Sequence, residues 1–322
     1  MEIENRRVLL TGGAGFIGSH LAEELLRLGN EVIVVDNFSS GKREFIGHLE
    51  SNERFSLQKA DILSDDIEPF LKDSDCVFHL AANPDVRLGE ENTRVHLDQN
   101  IIATYRLLEE MRKTGKKEIL FTSTSTVYGE ASQIPTAEDY GPLIPISLYG
   151  ASKLACEALI SSYCYTFDFE ACLFRFANVV GSRSTHGVIH DFVEKLRRDP
   201  SRLEILGRDP GTVKSYCHIS DCVQALIHGW KVLSEPVEIF NIGSEDAIDV
   251  KRIADIVTEE MGLEDVAYRW TGGVDDGRGW KGDVREMLLS VEKLKSTGWR
   301  PRYSSEDAVR LATRELILGN EL

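Results

Sequence analysis

The stretch that decides the fold is VLLTGGAGFIGSHL, residues 8–21, in which an apolar run leads directly into a cluster of glycines. Its first three residues have the composition of a short buried strand. Gly12, Gly15 and Gly18 follow at intervals of three, and apolar residues then recur at helical spacing until Gly29. The pattern predicts a strand, a tight turn and a helix, which together begin a dinucleotide-binding fold.

Glycines at this spacing serve a pyrophosphate in three ways. They allow the tight turn, they let the backbone approach the phosphates closely, and they let the helix pack against the strand. The helix N-terminus then presents free N–H groups and the positive end of its dipole to the phosphates. The residues that we expect to border the pyrophosphate are Gly12, Gly15, Phe16, Ile17 and Gly18.

Asp36 directly follows the next apolar run, residues 32–35. Its separation in sequence from the glycines is about that expected of an acidic residue that binds a ribose. The carboxylate of Asp36 can accept a hydrogen bond from a ribose 2′-OH but repels a 2′-phosphate. The sequence therefore favours NAD over NADP. Asp61 and Ile62, just past the following strand, are a weaker signal for the adenine side, because a loop aspartate is as often merely solvated.

The first half of the chain alternates apolar strands with amphipathic helices, which is typical of a doubly wound parallel α/β sheet. Further strand candidates are 55–60, 76–80, 119–122, 171–176 and 237–242, and a helix is predicted over 97–111, ended by Gly115. The pattern weakens after Gly181. We predict a Rossmann domain of residues 1–178 plus 221–244 and a smaller C-terminal substrate-binding lobe of 179–220 plus 245–322.

Composition excludes several classes of function. The net charge of −16 argues against a nucleic-acid partner, because phosphate binding needs a basic face. No apolar stretch is long enough to span a bilayer, and the charged start, residues 1–7, does not resemble a secretory signal. The six cysteines contain no C-x-x-C pair and are interpreted as buried thiols, not metal ligands. We expect a cytoplasmic protein without a metal.

Tyr149 and Lys153 form the only Y-x-x-x-K in the chain. On a helix, positions i and i+4 share a face, so the ammonium can lie near the phenol oxygen. A phenol titrates near 10, and a neighbouring lysine together with a positive nicotinamide ring should lower that pKa towards the range of a general base. Such pairs also occur by chance, so the motif needs support from its surroundings.

That support is TSTSTVYGE, residues 122–130, a hydroxyl-rich run directly after an apolar strand. Ligands bind at the carboxyl ends of strands in α/β sheets, so a hydroxyl here can hold a substrate oxygen beside the tyrosine. The pattern does not single out one hydroxyl of the run, and Ser125 is equally interpreted as a solvated loop serine.

Taken together, the motifs resemble the extended short-chain dehydrogenase/reductases, and within them the nucleotide-sugar epimerases of the UDP-glucose 4-epimerase type. The resemblance covers nearly the whole chain. It is carried by TGGAGFIGSHL, VVDNFSSG, HLAANPDVR, TSTSTVYGE, YGASK, RFANVVGSR, NIGS and GWRP. It implies that Tyr149 moves the proton, that Lys153 lowers its pKa and binds the nicotinamide ribose, and that Thr124 holds the sugar.

The same resemblance implies further contacts. Around NAD it places, besides the residues already named, Asn37, Ser39, Ser40, Asp61, Ile62, Leu80, Ala81, Asn100, Ser123 and Phe176. It places Asn178 at the phosphates of the nucleotide sugar. Pocket residues such as Val188, Ile189 and His190 would admit or refuse N-acetyl and uronate groups.

Two basic contacts to the substrate pyrophosphate are also implied, and here the match is less clean. Relatives usually carry an arginine at the position of Lys214, so a bidentate fork is replaced by a point charge. Arg278 is the candidate for the second contact and Lys281 the alternative. Both could instead be ordinary surface cations.

The implied reaction is inversion at C4 of a nucleotide sugar through a transient 4-keto sugar. Alternatives are a 4,6-dehydratase, a decarboxylase, a reductase, and a redox-sensing regulator that binds dinucleotide without catalysis. Dehydratases and decarboxylases of this family usually carry an acid just before V-Y-G, where this chain has Thr126, and regulators tend to lose the tyrosine–lysine pair. We therefore expect an epimerase acting on a UDP-hexose.

A homodimer is expected by the same resemblance, through the helices around 97–111 and 149–167. The second of these has apolar side chains around most of its circumference, and a monomer would leave part of that surface exposed. Those residues are Leu154, Cys156, Leu159, Ile160, Tyr163 and Phe167.

Overall fold

The computed structural model describes Met1 and residues 3–319, and all structural statements refer to these residues. The strands are β1 Arg7–Thr11, β2 Glu31–Asp36, β3 Phe55–Lys59, β4 Cys76–His79, β5 Glu118–Thr124, β6 Glu170–Phe176, β7 Asn178–Val180, β8 Arg202–Ile205, β9 Val213–Lys214, β10 Tyr216–His218, β11 Val237–Ile242, β12 Ile248–Asp249, β13 Ala267–Trp270 and β14 Glu286–Met287. The helices are α1 Phe16–Arg27, α2 Glu68–Lys72, α3 Leu88–Glu91, α4 Ala103–Thr114, α5 Leu148–Phe167, α6 Val188–Arg198, α7 Ile219–Lys231, α8 Val250–Glu260, α9 Glu292–Ser296 and α10 Ser305–Gly319.

Seven strands form one sheet in the order β11-β6-β5-β4-β1-β2-β3. The strand β1 pairs in parallel with β2 on one side and β4 on the other, with Val8 opposite both Val32 and Cys76. All four described residues of β4 and four of the five in β1 are buried, which explains their nearly continuous apolar character. The predicted Rossmann-type α/β class and the predicted positions of these strands are confirmed.

The helix that carries the tyrosine–lysine motif, α5, packs against both parts of the predicted 97–111 helix. That predicted helix consists of a wider helical segment, Leu97–Ile102, followed by α4, and it ends at Gly115 in a left-handed conformation with φ of 74°. Glycine reaches this region at no steric cost, so the predicted C-cap is confirmed.

The chain divides into two compact units. The first unit comprises Met1–Val127, Leu148–Arg175 and Val223–Phe240, and the second comprises Tyr128–Ser147, Phe176–Cys222 and the chain from Asn241 onward. The sequence analysis assigned residues 128–147 to the Rossmann domain, whereas their contacts place them in the second unit. The functional assignment of the two parts stays a prediction.

Each unit has its own apolar core. In the first unit, Leu9, Val77 and Phe121 of the sheet pack with the helices, and in the second, Ile253 and Val309 lie in a separate cluster. Ile189 belongs to the core of the second unit and is 3% exposed, and its expected part in a substrate pocket stays a prediction.

Part of the apolar surface of α5 packs within the chain itself. Cys156, Ile160 and Tyr163 belong to the core of the first unit, so they are not available to a partner. The exposed large apolar residues on α5 and the helical region before it are Leu97, Ile102, Tyr105, Leu148, Tyr165 and Phe167. No helix in the described part of the chain is both long and apolar enough to cross a membrane.

Candidate active site

The glycine loop joins β1 to α1 as predicted, and two of its glycines have no room for a side chain. Gly12 has φ of 72°, and a Cβ there would lie 2.6 Å from the backbone nitrogen of Ala81. A Cβ on Gly18 would collide with the carbonyl of Gly12. Gly15 precedes α1 and caps it without a side chain, so the first N–H groups of the helix are left for a ligand.

The carboxylate of Asp36 lies at the end of β2 beside this loop. Its two oxygens accept hydrogen bonds from the backbone N–H groups of Ala14, at 2.9 Å, and Phe38, at 2.8 Å. Burial raises the pKa of Asp36, and the two N–H donors oppose that rise. Each carboxylate oxygen has a second acceptor position. Asp36 is therefore held in place with capacity left for the hydroxyls of a ribose.

The other residues expected around the cofactor fall into three groups. Asn37 donates its side-chain amide to Asp61 at 3.1 Å, and Ser39 and Ser40 are exposed on the loop that follows β2. Ile62 and Phe176 are buried apolar residues, 6% and 8% exposed. Leu80 and Ala81 follow β4 and directly abut Gly12.

Asn100 is buried in the wider helical segment and connects three elements. Its side chain accepts from the backbone N–H of Asn83 at 2.8 Å and donates to the hydroxyl of Ser152 at 2.9 Å. The loop that follows β4 is thus tied to α5 close to the tyrosine–lysine motif. The expected role of Asn100 near NAD stays a prediction.

Tyr149, in the first turn of α5, shares a hydrogen bond with Thr124 at the end of β5. Part of the residue reaches the surface, but the phenol oxygen is enclosed by protein. Burial raises the pKa of Tyr149 to about 12, and the hydrogen bond with Thr124 opposes that rise. The ring of His96 lies edge-on to the Tyr149 ring, with centroids 5.7 Å apart.

Lys153 is 3% exposed, and its ammonium does not bond to the phenol. It donates to the backbone carbonyl of Thr122 at 2.8 Å and lies 4.6 Å from the centre of the Phe121 ring. Burial lowers the pKa of Lys153 to about 8. The spacing therefore puts both groups at the end of β5 as expected, but the ammonium hydrogen-bonds to a backbone carbonyl and not to the phenol.

A buried ion pair supports this end of β5, and the sequence analysis missed it. The carboxylate of Glu157, one turn beyond Lys153, accepts from the guanidinium of Arg175 at 2.7 Å and from the hydroxyl of Ser123 at 2.5 Å. All three side chains are buried, so the hydroxyl of Ser123 is already committed. A glutamate on an otherwise buried helix face and an arginine inside an apolar strand were the available signals.

In the second unit, Lys214 is paired instead of free. Its ammonium lies 2.5 Å from the carboxylate of Asp283, whose side chain is 2% exposed, and 5.3 Å from the centre of the Trp280 ring. The Nε1 of Trp280 is buried without a hydrogen-bond partner. Sequence distance concealed the pair, because 69 residues separate its members.

Arg278 is also held within the second unit. Its guanidinium donates to the carboxylate of Glu130 at 2.5 Å and to the backbone carbonyl of Asp283 at 2.6 Å, while Arg285 approaches Glu130 at 3.7 Å. Lys281, the alternative candidate, is exposed. Arg278 is therefore the oriented cation of the two.

The remaining substrate candidates occupy different positions. Asn178 begins β7 and donates its side-chain amide to the carbonyl of Ser215 at 3.1 Å. Val188 begins α6 and packs partly against the core of the second unit, and His190 is partly exposed. Ser125 is 8% exposed, so it is not the solvated loop serine that was its alternative interpretation.

The residues present fit a dinucleotide. A turn that side chains cannot enter, a helix N-terminus and a fixed carboxylate at the end of the next strand are the features that bind the pyrophosphate and adenosine ribose of NAD. No cluster of histidine, cysteine or acidic side chains among the described residues could hold a metal ion.

Comparison with known proteins agrees with this site. The model of the NAD dependent epimerase/dehydratase family matches residues 8–243. The putative UDP-glucose 4-epimerase of Methanocaldococcus jannaschii is 32% identical over 94% of this chain and 96% of its own length. UDP-glucuronic acid decarboxylase 1 of Arabidopsis thaliana is 30% identical over 94% of this chain and 68% of its own length.

Among solved structures, a crystal structure of UDP-galactose 4-epimerase is 42% identical and superposes with a TM-score of 0.84, covering 97% of this chain and 99% of that chain. The sheet order and the glycine loop define the class, a Rossmann-type enzyme that uses a dinucleotide. The chain belongs to the NAD dependent epimerase/dehydratase family, and its cofactor is NAD. The resemblance seen in its motifs is confirmed.

Proposed function

We propose that this protein is a 4-epimerase that interconverts UDP-glucose and UDP-galactose. The observation that carries the proposal is Thr126. Family members that dehydrate or decarboxylate usually carry an acid at this position, whereas here a hydroxyl stands there, 3.1 Å from the hydroxyl of Thr124. No carboxylate among the described residues hydrogen-bonds to Tyr149, Thr124 or Thr126.

The first unit binds NAD in this proposal. The glycine loop and the start of α1 bind the pyrophosphate, Asp36 binds the adenosine ribose, and Lys153 binds the nicotinamide ribose. Bound NAD supplies the hydride acceptor for oxidation at C4 and the hydride donor for its reversal. Because both half-reactions use one cofactor, we expect NAD to remain bound between turnovers.

The reacting proton is handled by the pair at the end of β5. Tyr149 accepts the proton of the sugar C4 hydroxyl and later returns it, and Thr124 orients the same oxygen. The raised pKa of Tyr149 must fall for this role. Among the described residues the ammonium of Lys153 forms no ion pair, so its positive charge favours the phenolate, as does the positive nicotinamide.

The second unit binds the nucleotide part of the substrate. Arg278 has a guanidinium already oriented by Glu130 and by a backbone carbonyl, a geometry suited to a diphosphate oxygen pair. Lys214 and Asn178 are the further candidates. In so acidic a chain a diphosphate requires local basic groups, and here Asp283 and Glu130 already pair with Lys214 and Arg278 and fix their positions.

Dehydration is disfavoured because the acidic residue that lies nearest to V-Y-G in sequence already pairs with two arginines. Removing water across C5 and C6 needs an acid and a base, and Glu130 is the only carboxylate close to V-Y-G in sequence. Its carboxylate pairs with Arg278 and Arg285 and accepts from the backbone N–H of Arg285 at 3.2 Å. We therefore expect the 4-keto sugar to react further by return of the hydride to C4.

Two measurements on the purified protein test the proposal. Denaturation should release NAD. Incubation with UDP-glucose in D₂O should invert the configuration at C4 of the sugar without incorporating deuterium at C5, and NMR of the sugar measures both. A 4-keto-6-deoxy product would show a dehydratase, and UDP-xylose from UDP-glucuronic acid would show a decarboxylase. NAD binding without conversion of any nucleotide sugar would favour a regulator.

We also propose that the protein is a cytoplasmic homodimer. Exposed apolar residues are concentrated on α5 and on the helical region of 97–114, among them Tyr105 at 45% and Tyr165 at 74% exposure. A solvent-facing group of this kind is typical of an interface.

Light scattering at micromolar concentration tests the dimer. Tyr105→Glu should shift the protein towards the monomer, because it puts a charge into the apolar interface. Leu318→Glu is the matched control, since Leu318 is 63% exposed on α10, outside these helices. A monomeric wild type, or a monomer produced equally by the control, would contradict the proposal.

A further inference from the structure

Three polar residues, Tyr149, Lys153 and Glu157, follow one another at intervals of four on α5. Residues four apart share a helix face, so the carboxylate of Glu157 is a near neighbour of the Lys153 ammonium. It is a distant neighbour of the phenol, because eight residues of helix rise by about 12 Å. Lys153 and Glu157 are 3% and 4% exposed, so little water separates their charges.

Both charged groups are attached to consecutive residues at the end of β5. The ammonium of Lys153 donates to the backbone carbonyl of Thr122 at 2.8 Å, and the hydroxyl of Ser123 donates to the carboxylate of Glu157 at 2.5 Å. The next residue, Thr124, is the proposed contact of the sugar oxygen. The ammonium and the carboxylate are therefore fixed against the strand that ends at the reacting centre.

Arg175, on the neighbouring strand β6, holds the same carboxylate from another side. Its Nε lies 3.0 Å from one oxygen of Glu157, and its Nη2 lies 2.7 Å from the other. A buried ion pair of this kind is weak evidence for stability, since the loss of hydration of both charges offsets their attraction. The position of the carboxylate, one turn from a buried ammonium, indicates an electrostatic use.

The charge of Glu157 opposes the effect of burial on Lys153. Burial lowers the pKa of Lys153 to about 8, whereas Glu157 and Cys156 act in the direction that raises it. Burial raises the pKa of the Cys156 thiol, so this group is neutral near pH 7 and Glu157 supplies the negative charge. Without that charge, the ammonium should release its proton at a lower pH.

Other titratable groups near Lys153 remain the same when Glu157 is changed. His79 on β4 and His96, just before the wider helical segment, act on the ammonium electrostatically. Burial lowers the pKa of His79 to about 3 and also lowers the pKa of His96, so both are neutral near pH 7. On α5 itself, burial raises the pKa of Tyr149 to about 12. The contacts from β5, a carbonyl and a phenyl ring, do not titrate.

Resting on the proposed epimerase function, we propose that Glu157 is a positioning residue whose buried carboxylate keeps Lys153 charged and in contact with the carbonyl of Thr122. The ammonium is then present when Tyr149 gives up its proton, and its positive charge favours the phenolate. Ser123 and Arg175 serve this role indirectly, because they hold the carboxylate in place.

The first test measures the protonation of Lys153 directly in the NAD-bound protein. The ¹³Cε signal of Lys153, in protein labelled with [¹³C]lysine, is assigned by its absence from Lys153→Met and followed by NMR as the pH is raised. Glu157→Gln keeps the shape of the side chain and an acceptor for Ser123 but removes the charge. Its midpoint should lie lower than that of the wild type by about 1 pH unit or more.

Glu109→Gln is the matched control. The carboxylate of Glu109 also accepts from a hydroxyl, that of Tyr163 at 2.6 Å, and from a guanidinium, that of Arg112 at 2.9 Å. This variant removes the same charge from a site on α4, so the Lys153 midpoint should not change. Ser123→Ala keeps the charge of Glu157 and removes one of its anchors, and it should also leave the midpoint unchanged.

The second test is the pH dependence of kcat/KM. In Glu157→Gln the alkaline limb should move to lower pH by the same amount as the NMR midpoint. We expect values close to those of the wild type at about pH 6 and a loss approaching roughly 10-fold above the limb. A uniform loss at every pH would contradict the inference, because it indicates a packing defect.

Equal NMR midpoints in Glu157→Gln and the wild type would overturn the inference, and so would an equal decrease in Ser123→Ala. If the loss of the carboxylate prevents folding, Glu157→Gln combined with Arg175→Met removes both members of the ion pair and should also lower the midpoint. Because the NMR titration needs no turnover, it distinguishes the two proposals. A lowered midpoint in a protein that converts no nucleotide sugar would support the action of Glu157 on Lys153 and contradict only the proposed function.

Discussion

Lys153 in the first unit and Lys214 in the second are both largely buried lysines beside an aromatic ring, but they differ in their partners. Lys153 lies 4.6 Å from the Phe121 ring centre and donates to a backbone carbonyl. Lys214 lies 5.3 Å from the Trp280 ring centre and is paired with the carboxylate of Asp283. Lys214 therefore has a carboxylate in direct contact, whereas the carboxylate of Glu157 acts on Lys153 without forming an ion pair.

Lys153 and Lys214 therefore illustrate two different uses of a buried cation. An uncompensated ammonium acts on any group that develops negative charge near it, and the cost of burying it appears as the lowered pKa of Lys153. A compensated ammonium contributes little net charge but fixes the orientation of its neighbours. By this comparison, Lys153 is suited to chemistry, whereas Lys214 is suited to holding the architecture of a binding surface.

The largest expected effect comes from removing the phenol that the charge of Lys153 is proposed to serve. Tyr149→Phe removes the proton acceptor and should lower kcat by roughly a thousandfold or more. The bound NAD should remain, because the phenol oxygen is not its main anchor, and NAD released on denaturation provides the control. Turnover close to that of the wild type would show that another group moves the proton.

Breaking the Lys214–Asp283 ion pair should affect the stability of the protein more than its catalytic rate. Lys214→Met leaves the carboxylate of Asp283 buried without its cation, which should reduce the free energy of unfolding by about 3–5 kcal/mol. The matched control is the double variant Lys214→Met with Asp283→Asn, in which most of the loss should disappear. Urea unfolding followed by tryptophan fluorescence measures both, and equal losses in the two proteins would mean that the pairing is not the cause.

The smallest expected effect is opposite in sign and concerns Lys153. Lowering its pKa from 10.5 to about 8 costs about 3 kcal/mol of stability at pH 7. Lys153→Met recovers that cost less about 1 kcal/mol for the lost hydrogen bond to Thr122, so the variant should be about 2 kcal/mol more stable than the wild type at pH 7 while losing activity.

The pH dependence of that difference provides the check. Between pH 8 and 10.5 the unfolded chain binds a proton on Lys153 that the folded protein has released. The stability of the wild type should therefore rise relative to Lys153→Met across this interval. Parallel pH–stability curves for the two proteins would show that the ammonium is not buried at a cost.

The sequence predicted the first unit well because its fold depends on local patterns. Strands buried on both faces, such as β1 and β4, are continuous apolar runs, and the glycine loop must follow a strand. The second unit was largely missed. Strands of two to four residues, such as β9 and β14, are too short to show any periodicity.

The candidate site divides in the same way. Tyr149 and Lys153 were predictable, because four residues on a helix determine a shared face. The partner of Lys153 was not, since a backbone carbonyl such as that of Thr122 leaves no mark in a sequence. The same holds for Asp283 beside Lys214, because the contact depends on a long-range fold.

The order of the strands also bears on how the chain is synthesised. The first 124 residues supply five adjacent strands, β3-β2-β1-β4-β5, and β5 then has an unpaired edge until β6 leaves the ribosome. An open, apolar edge strand readily pairs with other chains. Nascent chains that stall between β5 and β6 are therefore the aggregation-prone stage of biosynthesis, and α5, which carries Tyr149 to the end of β5, is itself synthesised within that interval.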